Sequence, residues 1–193
     1  MKTALNDTTK DFLQNRDICL IGFMGSGKSY IGEILHNELS AEYIDTDRLI
    51  EETENKAISE IFKEKGEKYF RALEKNVLKD LVYGQDSKDS AMKKTRVIST
   101  GGGLPIQAGN RKLMKILGSL NICLNPPFET ILQRIKSTKR PLIYRRSRQY
   151  IFNLWQARYA QYQKIAHISI SEVSVTDIFK ALNERIEILL NKG

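Results

Sequence analysis

With 193 residues, 41% of them hydrophobic and 28% charged, the chain is long enough to close one hydrophobic core, and nothing in it marks a second. No apolar run reaches the ~18–20 residues of a membrane span, and Met1 to Arg16 lacks the apolar stretch of a secretory signal, so residues 1–16 read as a short, frayed polar leader before a domain over 17–193. The net charge of +8 is scattered, apart from a cluster at Lys136, Lys139, Arg140, Arg145, Arg146 and Arg148; small anionic molecules account for it as well as nucleic acid does.

Short apolar runs then alternate with stretches of helical period. Ile18 to Ile21 predicts a buried strand, followed at once by a glycine-rich loop, and Lys28 to Leu39 sets Ile31, Ile34 and Leu35 at helical spacing. A second strand, Glu42 to Ile44, ends in Asp45. Helical pattern resumes over Asp47 to Glu54 and Ile58 to Leu81, and the polar run Gly84 to Thr95 reads as an exposed loop. Arg96 to Ser99 predicts a third strand running into three glycines. A helix from Ala108 to Leu117, a strand from Leu120 to Leu124 and a helix from Phe128 to Ile135 follow. After the basic segment 136–148 come a helix from Gln149 to Ile165, a fifth strand, His167 to Ser171, and a closing helix from Val175 to Leu190. Such alternation predicts βαβ units with right-handed crossovers, hence a single α/β domain whose parallel sheet is covered on both faces. Cys19 and Cys123 fall inside predicted strands as small hydrophobes, and two cysteines make no disulfide framework, which fits a reducing cytoplasm. His36 and His167 sit in no metal-ligand or triad pattern.

Gly22-Phe23-Met24-Gly25-Ser26-Gly27-Lys28-Ser29 matches G-x-x-x-x-G-K-[ST] between a predicted strand and a predicted helix, the context that motif needs. Glycines let backbone N–H groups turn toward phosphate oxygens, and the helix N-terminus adds its dipole. Lys28 reaches toward β- and γ-phosphates, and the Ser29 hydroxyl suits Mg2+. Switch GTPases, motors, transporter ATPases and small-molecule kinases share this loop, so it implies a nucleoside triphosphate without saying what becomes of it.

Further candidates flank it. Asp45-Thr46-Asp47 ends the second strand: one carboxylate there suits Mg2+ and the other an acceptor hydroxyl, though aspartate is also a common helix cap. Gly101-Gly102-Gly103 after the third strand permits close backbone approach to a ligand, or merely a tight turn. Arg71, Arg140 and Arg158 lie off the strand ends. Two converging arginines would suit an acceptor carboxylate, while Arg71 with Glu74 three residues on equally reads as a solvated helical ion pair.

Together these residues resemble the shikimate kinase family, from about Asp17 to Leu190. The resemblance rests on Gly22 to Ser29, Asp45-Thr46-Asp47 with Ile50-Glu51, Ile61-Phe62, Gly66-Glu67, Phe70-Arg71, Glu74, Gly101-Gly102-Gly103, Arg140-Pro141-Leu142, and Arg158 with Tyr162. It implies a three-layer α/β/α domain with a five-stranded parallel sheet, of the nucleoside monophosphate kinase type. The implied reaction moves the ATP γ-phosphate to the 3-hydroxyl of shikimate, in aromatic amino-acid biosynthesis. Residues carried over by position are Gly25, Ser26, Gly27, Lys28, Ser29 and Tyr30 for the phosphates, with Arg134 against the adenine. Ser29 and Asp45 would manage Mg2+. Asp47, Arg71, Gly101, Gly102, Gly103 and Arg158 would bind shikimate, with Asp47 facing the reacting hydroxyl. Arg140, from a lid over about 136–148, would assist Lys28 in neutralising the transferred group. Tyr30 stands where the family commonly has a small hydroxyl residue, Ala160 replaces a usual proline, and Ser171 to Thr176 matches the adenine loop poorly. A monomer without nucleic-acid or membrane partners is expected. A kinase for another small hydroxylated acid, such as gluconate, is the alternative.

Overall fold

The computed structural model describes residues 4–84, 94–136 and 141–191. Among these are five strands: β1 (Asp17–Ile21), β2 (Glu42–Asp45), β3 (Arg96–Ser99), β4 (Leu120–Leu124) and β5 (Ile168–Ile170). They form one parallel sheet in the order β2-β3-β1-β4-β5. The helices are α1 (Asp7–Leu13), α2 (Lys28–Leu39), α3 (Thr46–Glu54), α4 (Ile58–Tyr83), α5 (Ala108–Leu117), α6 (Phe128–Ile135), α7 (Arg148–Tyr162) and α8 (Val175–Leu190). No helix among the described residues is long and apolar enough to cross a membrane.

The three layers follow from the period of two along each strand. Ile18 and Leu20 of β1 pack with Ile31 and Leu35 of α2 and with Ile178, Leu182 and Ile186 of α8. Cys19 and Ile21 point the other way, against Leu78 of α4, Met114 of α5, Ile131 of α6 and Tyr162 of α7. A strand covered on both faces has no polar side to alternate with, which is why β1, β3 and β4 read in the sequence as unbroken buried runs.

The segment read as a frayed leader is ordered in part. Residues 7–13 form α1, capped by Asn6, whose side chain accepts from the Thr9 N–H at 2.8 Å. Leu13 and Leu5 bury themselves in the same core cluster as α8, and the Asn6 N–H donates to Asn183 at 3.2 Å. Two leucines among polar residues carry little sequence signal until α8 offers the groove. The predicted helix over Ile58 to Leu81 also differs: α4 breaks at Gly66, where φ 77° and ψ 174° leave the helical region for one that glycine alone enters cheaply. The break re-aims the second half of α4, which carries Arg71. Most of the predicted exposed loop (85–93), and residues 137–140 of the predicted lid, lie outside the described residues, as does Arg140.

Register decides where ligands bind. Asp45 of β2 pairs Ser99 of β3, Leu20 of β1 pairs Ser99, and Ile21 pairs Cys123 of β4, so the carboxyl ends of four strands stand level. The chain leaves β1 and β3 for opposite sides of the sheet, and such a switch point opens a crevice. At the other end, the Arg96 guanidinium grips Asp17 in a two-pronged pair at 2.7 and 2.8 Å and donates to the Leu81 carbonyl, tying β3, β1 and α4. Both residues are buried. Asp17→Ala would strand the guanidinium in the core, with an expected loss of about 3–5 kcal/mol of stability, read from denaturant unfolding.

Candidate active site

Three loops meet at the level strand ends, and short polar links hold them together. Between β1 and α2, residues 22–27 curl so that Lys28 Nζ donates to the carbonyls of Gly22 at 2.9 Å and Phe23 at 3.0 Å. After β3, the Thr100 hydroxyl and N–H both donate to Leu20 O, at 3.0 and 3.1 Å, fixing the glycine run beside the phosphate loop. The Gly101 N–H donates to Thr46 Oγ1 at 2.8 Å, fixing it to the start of α3. Thr46 and Thr100 were not singled out as site residues from sequence. Neither breaks an apolar pattern, and their role exists only once the loops are neighbours.

The two oxygens of Asp45 have different partners. Its Oδ1 caps α3, accepting from the N–H groups of Asp47 at 3.0 Å and Arg48 at 3.3 Å. Its Oδ2 accepts from the Ser29 hydroxyl at 3.0 Å and the Tyr43 hydroxyl at 3.3 Å. Burial, then the neighbouring Asp45 charge, push the Tyr43 hydroxyl above its ordinary pKa, so it stays a donor. Arg134, in the last turn of α6, donates to Gly25 O at 3.1 Å and so lies on the phosphate loop. Tyr30, 62% exposed, stands at the rim of the same cavity.

On the other side, Arg71 is not the solvated pair that its sequence context allowed. Its Nη1 donates at 2.9 Å to Glu74, which is wholly buried, while Nε and Nη2 reach Glu67 at 3.2 and 2.7 Å. Burial is the strongest influence on Glu74 and, against the opposing Arg71 charge, pushes its carboxyl up to about 7. A Cβ added to Gly103 would stand 1.9 Å from Arg71 Nη1, so the guanidinium fills the space that a side chain here would need. Arg158 is also buried, its guanidinium 5.5 Å from the centre of the Phe23 ring and its Nη1 3.7 Å from the Cβ position of Gly102. Tyr162, one turn on, donates to the Gly102 carbonyl at 2.6 Å. The two arginines, far apart in the chain, thus converge on neighbouring glycines. Burial alone pushes the Cys123 thiol up to about 12, and burial foremost does the same to Cys19, leaving both inert.

Two cavities result. One, of about 660 Å³, is lined by Gly25, Gly27, Lys28, Ser29, Asp45 and Arg134. The other, of about 340 Å³, is lined by Arg71, Glu74, Gly103, Arg158 and, from the basic segment, Pro141 and Leu142. Asp47 and Gly102 belong to both walls.

A phosphate loop on one side of a shared carboxylate, and paired arginines on the other, define a P-loop kinase for a small acceptor. Comparison with known proteins gives the family. The shikimate kinase family model matches residues 24–187. A shikimate kinase of Persephonella marina is 41% identical over 150 residues, which cover 76% of this chain and 85% of that protein. One from Bacillus cereus is 34% identical over 175 residues, covering 90% and 99%. Among solved structures, shikimate kinase from Acinetobacter baumannii in complex with shikimate matches with a TM-score of 0.78 at 32% identity, over 95% of this chain and 98% of that one. The chain belongs to the shikimate kinase family, ATP-dependent kinases of the P-loop fold.

Proposed function

We propose that this chain transfers the γ-phosphate of ATP to the 3-hydroxyl of shikimate, a step of aromatic amino-acid biosynthesis, across the wall formed by Asp47 and Gly102. The observation that carries this is the shared wall: a hydroxyl that reaches Asp47 from the arginine cavity also faces the phosphate cavity.

Each residue then has a task its chemistry suits. Arg71 and Arg158 hold the acceptor carboxylate, because a guanidinium fork matches a carboxylate with two parallel hydrogen bonds. That grip fixes how far the ring enters and which hydroxyl meets Asp47. The Asp47 carboxylate accepts a hydrogen bond from that hydroxyl, aligns its oxygen and takes its proton as the new P–O bond forms. Gly25, Ser26 and Gly27 offer backbone N–H groups to the phosphates, and Tyr30 follows on the first turn of α2. Lys28 exchanges its loop carbonyls for β- and γ-phosphate oxygens and offsets charge on the group in flight. Arg134 lies where the nucleotide leaves the loop, on the adenine side. Gly101, held by Thr46, keeps α3 and Asp47 in register with the acceptor. Arg140 remains the expectation set by the resemblance, as the neighbour of the cavity-lining Pro141.

Ser29 Oγ and Asp45 Oδ2, 3.0 Å apart beside the loop, make a hard-oxygen pair that fits Mg2+, an ion that takes one or two protein oxygens beside phosphate and water. When bound there, Mg2+ neutralises charge on the β- and γ-phosphates. A cytoplasmic location agrees with two free, buried thiols.

A coupled ADP-release assay with ATP and Mg2+ tests the reading. Shikimate should give turnover well above the acceptor-free blank and gluconate should not; equal rates with and without shikimate would contradict it. Gly103→Ala offers a finer check, since its methyl group must displace Arg71. A misplacement of 1 Å costs about a hundredfold, so kcat/KM for shikimate should fall by that order while KM for ATP is kept.

A further inference from the structure

The acceptor cavity contains one charged group to which phosphoryl transfer gives no task. Glu74 has no exposed surface, yet it lines the cavity with Arg71 and Arg158. Its Oε2 is engaged by Arg71, whereas Oε1 is buried and accepts no hydrogen bond from the described residues. Glu74 Oε1 and Asp47 Oδ1 crowd the same point, the Cβ position of Gly101, at 3.2 and 2.3 Å. Two carboxylates therefore face each other across a backbone that puts no side chain between them. The remaining groups around Glu74 are Arg71 and, behind it, the half-exposed Glu67 on α4, with Arg158 and Tyr162 on α7.

A charge count shows what an anionic ligand does here. Arg71 already answers Glu74 and the half-exposed Glu67, so an incoming carboxylate adds a negative charge beside the wholly buried Glu74 and its neighbour Asp47, where burial weakens screening. We propose that Glu74 takes up a proton from solvent as the acceptor carboxylate settles on Arg71 and Arg158, and that this uptake offsets the charge the ligand brings. The inference rests on the acceptor reading above and names the group that makes the site tolerate its substrate's charge. The proton belongs on Oε1, which faces the Asp47 carboxylate, and Oε2 stays with Arg71. Glu74 is prepared for this: burial foremost, and the Asp47 charge, raise its carboxyl against the two arginines to about 7, so protonating it near neutral pH costs little. The described histidines do not compete. His36 pairs with Ala41 O at the end of α2, and His167 takes the Asn121 N–H at the opposite end of the sheet.

Calorimetric titration of shikimate into the full chain, in PIPES and in Tris, reads proton uptake from the difference in heats. Uptake should be about half a proton at pH 7 and approach one at pH 8, with affinity falling up to about tenfold per pH unit above 7. Shikimate carboxamide, which brings no charge, should bind with equal heats in both buffers. Glu74→Gln should bind shikimate without uptake and with an affinity flat from pH 6 to 8. Shikimate binding to the wild type with equal heats in both buffers at pH 7 and 8 would overturn the inference and leave the acceptor site standing. Uptake with the carboxamide, or uptake persisting in Glu74→Gln, would overturn it as well. Absence of shikimate binding would remove the acceptor reading and this inference together.

Discussion

Replacing Asp47 by asparagine should lower kcat by about 10²–10⁴-fold, the range that a positioned general base supplies. Asparagine keeps the size and one carbonyl oxygen but accepts no proton, so the hydroxyl can still be placed and cannot be activated. The phosphate loop is untouched, and Asp45 rather than Asp47 provides the α3 cap, so the fold and ATP affinity should survive. Steady-state kinetics together with displacement of a fluorescent ATP analogue separate the two effects. An unchanged kcat would remove Asp47 from the chemistry; a lost ATP affinity would place it on the nucleotide instead.

Lys28→Met should lower kcat by about 10²–10³-fold, the loss that follows removal of one preorganised donor from a developing anion. Lys28 is almost wholly buried, and its ammonium donates to loop carbonyls and, at 3.5 Å, to Ser26 Oγ. Methionine reproduces the length and apolar stem of that side chain without its charge. ATP binding should weaken in this variant, while shikimate binding measured alone should not. Near-normal turnover in Lys28→Met would mean that the loop holds the nucleotide without stabilising the transferred group.

Much of this was legible in the sequence, for identifiable reasons. Central parallel strands are buried on both faces, so Ile18 to Ile21 and Leu120 to Leu124 stand out as short, mainly apolar runs, and the phosphate loop is local, every residue needed for its recognition lying within eight positions. What escaped depended on distant partners. Leu5 and Leu13 mean nothing until α8 supplies the groove they fill, and the break at Gly66 shows only once a helix is seen on both sides of it. The convergence of Arg71 and Arg158 on Gly102 and Gly103 needs the re-aimed half of α4 and the full path of α7. Asp45 was a choice between cap and ligand in the sequence because one-dimensional spacing cannot show that its two oxygens point different ways. The links from Thr46 and Thr100 have no local mark at all, since a buried threonine in a loop declares itself only through the backbone it bonds.

The direct test of the central claim is the position of the phosphate on the product. In the proposed arrangement Arg71 and Arg158 hold the carboxylate and Asp47 stands at the wall of the phosphate cavity, so that one hydroxyl of shikimate is presented for transfer. Two-dimensional proton–phosphorus NMR of the reaction with ATP and Mg2+ should show a single phosphomonoester coupled to the proton on carbon 3. A phosphate on another carbon, a mixture of positions, or ATP hydrolysis without any phosphorylated shikimate would contradict the account.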